Sequence, residues 1–149
     1  MVTEIYHSSV ERKREIMRLK TRPTDRRKLV KKLDALCSQL VRKKGVCAMK
    51  GRYGDCGGVL QCAHIFPRTY YSTRWDFDNL LCLCYRHHIH FAHKNPMLFS
   101  TWVLNHLGEP KYELLKMRAH MVLHRTTSDL FGMLHHLEDP EVQKVIVGR

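Results

Sequence analysis

The chain has 149 residues, enough for one domain with a real core and a helical extension. Hydrophobic residues make up 44% and charged residues 27%, which argues against wholesale disorder, and no apolar run approaches the ~20 residues of a bilayer span. Lys and Arg outnumber Asp and Glu 26 to 14, and residues 1–44 alone hold 14 of these bases against 5 acids. Such an excess at one end points to a polyanionic partner, most simply nucleic acid, because each phosphate contact releases counterions. The competing reading is a basic helix that is merely well solvated.

Residues 1–22 are polar and basic and read as a loosely docked helix. Pro23-Thr24-Asp25 breaks that segment and starts a second helix, with Thr24 or Asp25 as its N-cap. Leu29, Leu33, Leu36 and Leu40 then recur at helical spacing, widened by Val30, Cys37 and Val41, as far as Gly45. Cys37 falls on this stripe and is expected to be a buried thiol. The outer face carries Arg26, Arg27, Lys28, Lys31 and Lys32, the expected phosphate contacts. Residues 46–58 form a glycine-rich loop. Two short apolar strands, Val59 to Ile65 and Leu80 to Cys84, flank a polar and aromatic loop. A short helix is expected from Arg86 to about Ala92. A longer one runs from Leu98 to Leu107, with Phe99, Trp102, Val103 and His106 on one face and Gly108 as its cap. Pro110 opens a further helix to about Leu123, with Tyr112, Leu115, Ala119 and Val122 inward. The tail offers only a short helix, Asp129 to Leu137.

The chemistry-bearing residues crowd the centre. Five of the six cysteines fall between Cys47 and Cys84, and His64, His87, His88, His90 and His93 lie in or just after that stretch. The N-terminal residues lack the apolar core of a secretory signal, so the chain is expected in the cytoplasm. In that reducing compartment clustered Cys and His hold metal more often than they form disulfides. Cys84-x-x-His87 has the gap that lets one turn present two ligands to one zinc ion, and Cys47 with Cys56 is the natural second pair. The eight residues between Cys47 and Cys56 are a longer gap than usual. The alternative is that Cys47, Cys56 and Cys84 pair with one another as disulfides. Arg68 and Arg74 flank the inter-strand loop, where either guanidinium suits a bidentate phosphate contact.

His64, Asn79 and His88, with Cys84-x-x-His87 just before the last of them, resemble the HNH endonucleases of the ββα-metal fold. The string AHIFPR, followed by TRWDFDNLLCLCYRHH and NPMLFSTWV, is similar to small phage-type HNH proteins, among them recombination nucleases of the NinG/Rap kind. The resemblance covers about residues 45–103. It implies an α+β fold with a small zinc-stapled ββα-metal core at 45–108, a basic helical extension at 1–44, and a C-terminal helical segment at 109–149. It further implies a metal-dependent DNA endonuclease, a monomer or homodimer, acting in the host cytoplasm if phage-encoded, with branched or recombination DNA as substrate.

In that pattern His64 is the general base. Asn79 binds the catalytic ion or orients the base, and His88 ligates the ion or contacts the phosphate. Mg2+ or Mn2+ is the expected catalytic ion, beside the structural Zn2+. One departure stands out: the residue before the base is often an Asp or His that ligates metal, and here it is Ala63. His90 or His93 is then a candidate extra ligand. The missing group also supports a rival reading, a zinc-stapled DNA-binding module without turnover.

Overall fold

The computed structural model describes residues 23–148, so the helix expected within 1–22 lies outside the described residues. Helix α1 (Pro23–Arg42) is followed by strands β1 (Leu60–His64) and β2 (Leu80–Cys84). Next come a π-helix (Arg86–Ala92) and four α-helices: α2 (Pro96–Leu107), α3 (Glu109–His120), α4 (Thr127–Glu138) and α5 (Pro140–Gly148). The protein thus combines helices with one small two-stranded sheet.

The strands pair antiparallel, with Cys62 opposite Cys82 and His64 opposite Leu80. Alternation along each strand sends side chains to two separate cores. On one face Cys62, Leu80 and Cys82 join Leu29, Leu33, Cys37, Leu40 and Val41 of α1, with Leu130, Leu134 and Leu137 of α4 and Ile146 of α5. On the other face Ala63, Leu81 and Leu83 meet Cys47, Met49, Trp102 and Val103. Every residue of β2 is buried, which explains its unbroken apolar run, LLCLC. Its outer edge is covered by the glycine-rich loop: the Ala48 amide donates to the Cys82 carbonyl (2.8 Å), and the Cys84 amide to Cys47 Sγ (3.3 Å).

Three expectations need correction. Helix α1 already includes Pro23, so Thr24 and Asp25 lie within it rather than at its N-cap. Helix α3 ends at His120, where Met121 turns extended, so Val122 lies 87% exposed rather than inward. The tail also holds an unanticipated helix, α5. Its start signal was present in the sequence: the Asp139 carboxylate accepts from the Glu141 amide (2.8 Å) ahead of Pro140 at the first helical position. Cys37 is buried, as its place on the stripe predicted.

Candidate functional site

Cys47, Cys56, Cys84 and His87 converge, with their ligand atoms all within 4.8 Å of one another. His87 Nδ1 lies 3.4, 3.7 and 3.2 Å from the sulfurs of Cys47, Cys56 and Cys84. Tetrahedral zinc with Zn–S about 2.3 Å and Zn–N about 2.0 Å sets nitrogen and sulfur roughly 3.5 Å apart, so this donor set fits the ion. The surroundings fit as well. His87 is fully buried and its Nε2–H donates to the Arg52 carbonyl (2.9 Å), which leaves Nδ1 as the ligating nitrogen. Burial opposes ionisation of the Cys84 thiol, but amide hydrogen bonds from Gly57 and His87 outweigh it and bring the thiol down to about 6. All six cysteines are free thiols, with no disulfide among them.

His64 closes β1, half-buried, and its Nε2–H donates to the Arg74 carbonyl (3.0 Å). That bond leaves Nδ1 as the unprotonated nitrogen. Burial lowers the pKa of the ring below its usual value, helped by the charges of Arg68 and Arg74 and opposed by the hydrogen bond to the Arg74 carbonyl. The backbone of residue 74 is held in turn by its own side chain. Arg74 donates from Nε (3.0 Å) and Nη2 (2.6 Å) to the two oxygens of Asp34 on α1, and Trp75 Nε1 donates to the same carboxylate (2.8 Å). The expected phosphate ligand Arg74 therefore has its guanidinium engaged inside the protein, whereas Arg68 is exposed.

Asn79 is fully buried and its amide is committed to the loop between the strands. Its oxygen accepts from the Phe66 amide (2.7 Å), and its nitrogen donates to the carbonyls of Phe66 and Thr73 (3.0 Å each). These bonds tie the residues after His64 to those before Arg74, so Asn79 fixes the loop that carries the imidazole and its carbonyl partner.

His88 Nδ1–H donates to Gln61 Oε1 (2.8 Å), leaving Nε2 open. Burial, reinforced by the charges of His93, His64 and Arg68, depresses its pKa to about 4. The charges of His64 and Arg68 both act on the His88 ring, which puts the three groups within electrostatic range of one another. The π-helix decides which further histidine joins them. In an α-helix residues five apart point ~140° away from each other. Here the His93 amide bonds back to the His88 carbonyl (3.2 Å), the i→i+5 step of a π turn, and the two rings meet at 4.9 Å. His90 instead packs its ring against Tyr85.

Arg27, Lys28, Lys31 and Lys32 lie exposed along α1, while Arg26 is half-buried and donates to the Arg125 carbonyl (2.7 Å). Two supporting residues were not anticipated. Gln61 was visible as a polar residue on the strand face that also carries buried Ala63. Asp34 was visible as an acid beside the apolar stripe of α1.

Residues 46–95 match a family model described as HNH endonuclease. That segment takes in the zinc-compatible cluster, both strands, His64, Asn79, His88 and His93, and it supports assignment of the core to the ββα-metal class. Neither the curated proteins nor the solved structures gave a match. No described helix is long and apolar enough to cross a membrane.

Proposed function

We propose that this protein is a metal-dependent DNA endonuclease of the HNH type. The observation that carries the reading is the pair of oriented imidazoles: His64 with Nδ1 free and His88 with Nε2 free, each fixed by a hydrogen bond through its other nitrogen. His64 Nδ1 takes a proton from the attacking water, and its lowered pKa keeps it neutral for that task at physiological pH. Asn79 and the Arg74 carbonyl hold its ring. Arg68 clamps the scissile phosphate through its exposed guanidinium. His88, with His93 beside it, would hold the divalent cation. When bound, the cation neutralises charge on the phosphate and on the leaving 3′-oxygen. In this reading residues 45–108 form the catalytic core, with 1–44 as a basic DNA arm and 109–149 as a buttress.

The donor set refines the choice of ion. Ala63 is buried where an acid would stand, and two imidazoles suit Mn2+ better than Mg2+, which prefers carboxylate and water. Plasmid nicking is expected to run faster with Mn2+ than with Mg2+. His93→Ala is expected to raise the Mn2+ concentration needed for half-maximal rate about tenfold, the low end for removal of a supporting ligand. A titration unchanged by that substitution excludes His93 from the ion.

The exposed bases of α1 are the DNA arm of this reading. Because Leu29, Leu33 and Leu40 from the same helix build the core, its contribution is tested by neutralising charge rather than by truncation. Changing Arg27, Lys28, Lys31 and Lys32 together to Gln is expected to flatten the slope of log affinity against log salt by about 0.9 for each phosphate that these side chains neutralise in the wild type. An unchanged slope assigns these residues to solubility alone.

No base-reading element is evident among the described residues, which favours cutting directed by DNA structure rather than sequence. The resemblance to phage recombination nucleases makes branched DNA, cut in the host cytoplasm, the substrate class to try first. A panel of linear, nicked, flapped and four-way DNA tests it. Cutting both strands requires two active sites, hence a homodimer or two visits by a monomer. Ala63 is the observation that favours the second reading, a DNA-binding module without turnover. Absence of any cleavage across that panel with Mn2+ and Mg2+ would establish it.

A further inference from the structure

A cavity lies beside the loop whose Arg52 carbonyl bonds to His87 of the zinc-compatible cluster. Its volume is 700 Å³, and its wall includes Lys50, Arg52, Tyr53, Trp102, Asn105 and His106. That size lies in the range of ligand pockets rather than packing defects. None of the residues assigned to cleavage lines it.

The wall combines three kinds of group. Two are cationic: Lys50 and Arg52 are exposed and have no carboxylate partner among the described residues. Two present aromatic faces. Tyr53, 49% exposed, lies flat on Phe91 of the π-helix at 4.5 Å. His106 is stacked on Trp102 at 4.7 Å with the rings 14° apart, and Phe99 supports Trp102 from behind at 5.9 Å. The inner face of each stack is occupied, and the outer ring is accessible. The third kind is an exposed amide, Asn105, with both donor and acceptor capacity.

The backbone holds these groups in place at some cost. Tyr53 has φ 52°, a left-handed conformation rare outside glycine, between Gly51 at 76° and Gly54 at 100°. A non-glycine residue kept there is restrained by its surroundings, and such restraint clusters at functional sites. The restraint here comes partly from the metal cluster, because the Arg52 carbonyl next to Tyr53 receives the hydrogen bond from His87. The same loop thus serves the zinc ligands with its backbone and opens cationic and aromatic side chains to solvent.

Supported aromatic platforms beside unpaired cations are the recognition chemistry of single-stranded nucleic acid: rings stack on bases, and cations follow the phosphates. A continuous duplex keeps its bases stacked and offers nothing to a second aromatic platform. We infer that this cavity binds an unpaired DNA strand, one or two bases stacking on Tyr53 and His106 with their phosphates on Lys50 and Arg52. The inference deepens the nuclease reading and rests on it for the identity of the nucleic acid: the substrate carries a single-stranded arm, as a flap or branch does. The π-helix joins the two sites, since it bears His87 for the zinc cluster, His88 for cleavage and Phe91 beneath Tyr53.

The test is binding, so it does not require turnover. Zinc-loaded full-length protein is titrated into fluorescently labelled oligothymidylate and, separately, into a blunt duplex, without added Mn2+ or Mg2+. Tyr53→Asn removes the ring with a residue that tolerates the left-handed backbone, and His106→Ala removes the second platform. Each is expected to weaken oligothymidylate binding about tenfold, the scale of one base stack, while duplex affinity moves less than about twofold. Zinc content and thermal unfolding, measured in parallel, confirm that both variants are folded. Oligothymidylate affinity unchanged in both variants, or falling no more than duplex affinity, overturns the proposal. His64→Ala separates the two readings. If it stops cleavage and still binds oligothymidylate, both stand. If wild type binds oligothymidylate but cuts nothing, the nuclease reading fails and the strand-binding pocket remains.

Discussion

Replacing His64 with Ala is expected to slow phosphodiester cleavage about a thousandfold, the middle of the range for loss of a general base. DNA affinity should change little, because Arg68 and the α1 cations are untouched. The comparison is made by single-turnover plasmid nicking at saturating protein. Equal rates in the two proteins would remove His64 from the mechanism. The pH profile offers an independent check. The base works in its neutral form, so the rate rises as pH climbs through its pKa and then levels off. Burial and the charges of Arg68 and Arg74 place that pKa below the usual 6.5, so the acid limb should bend below that value. Arg68→Gln removes one of those charges and should move the limb upward, towards 6.5. Asn79→Ala acts on the same atom indirectly. It frees the Phe66 and Thr73 groups that fix the loop and should lower the rate by displacing His64, with the metal requirement unchanged.

The second large effect is on the metal cluster. Cys84→Ser should reduce bound zinc well below one ion per chain and destabilise the core. Structural zinc contributes on the order of 10 kcal/mol or more to folding in small metal-bound units. Losing even ~4 kcal/mol of that lowers Tm by roughly 8–16 °C at this chain length. A strong chelator should reproduce the loss in the wild-type protein. Cys37→Ser is the control: that thiol lies in the apolar core on α1, so the variant costs some packing and keeps its zinc. A Cys84→Ser protein with full zinc content and an unchanged Tm would defeat the assignment of the cluster. The same experiment bears on the strand-binding pocket, because the His87 bond to the Arg52 carbonyl orders the loop that carries Tyr53.

Local patterns carried much of this architecture. The leucine spacing on α1, the continuous apolar run of β2 and Gly108 between α2 and α3 each report a neighbour-to-neighbour constraint, and such constraints are written in consecutive residues. The Cys84-x-x-His87 spacing is of the same kind, since one turn of chain presents both ligands. Cys56 was harder to place, because a loop of eight intervening residues can close in many ways. The failures had physical causes too. Helix α3 stops before Val122 although its sequence allows continuation. Helix α5 follows a polar, proline-bearing junction that reads as a break yet caps it.

Consecutive residues specified a basic amphipathic helix, two short strands, the Cys84-x-x-His87 pair at zinc spacing with Cys47 and Cys56 in a loop before it, and the His64, Asn79, His88 series. Tertiary structure decided which groups are free to act. Arg74 and Arg68 look alike on paper, yet a carboxylate forty residues away engages the first and leaves the second exposed. His90 and His93 also look alike, and an extra residue per turn in the π-helix brings only His93 to His88. Asn79 reads equally as a metal ligand or as a residue that orients the base, and the fold engages both ends of its amide with the loop that carries His64. In each case the deciding partner lies far along the chain or in the pitch of a helix, and residue spacing alone carries neither.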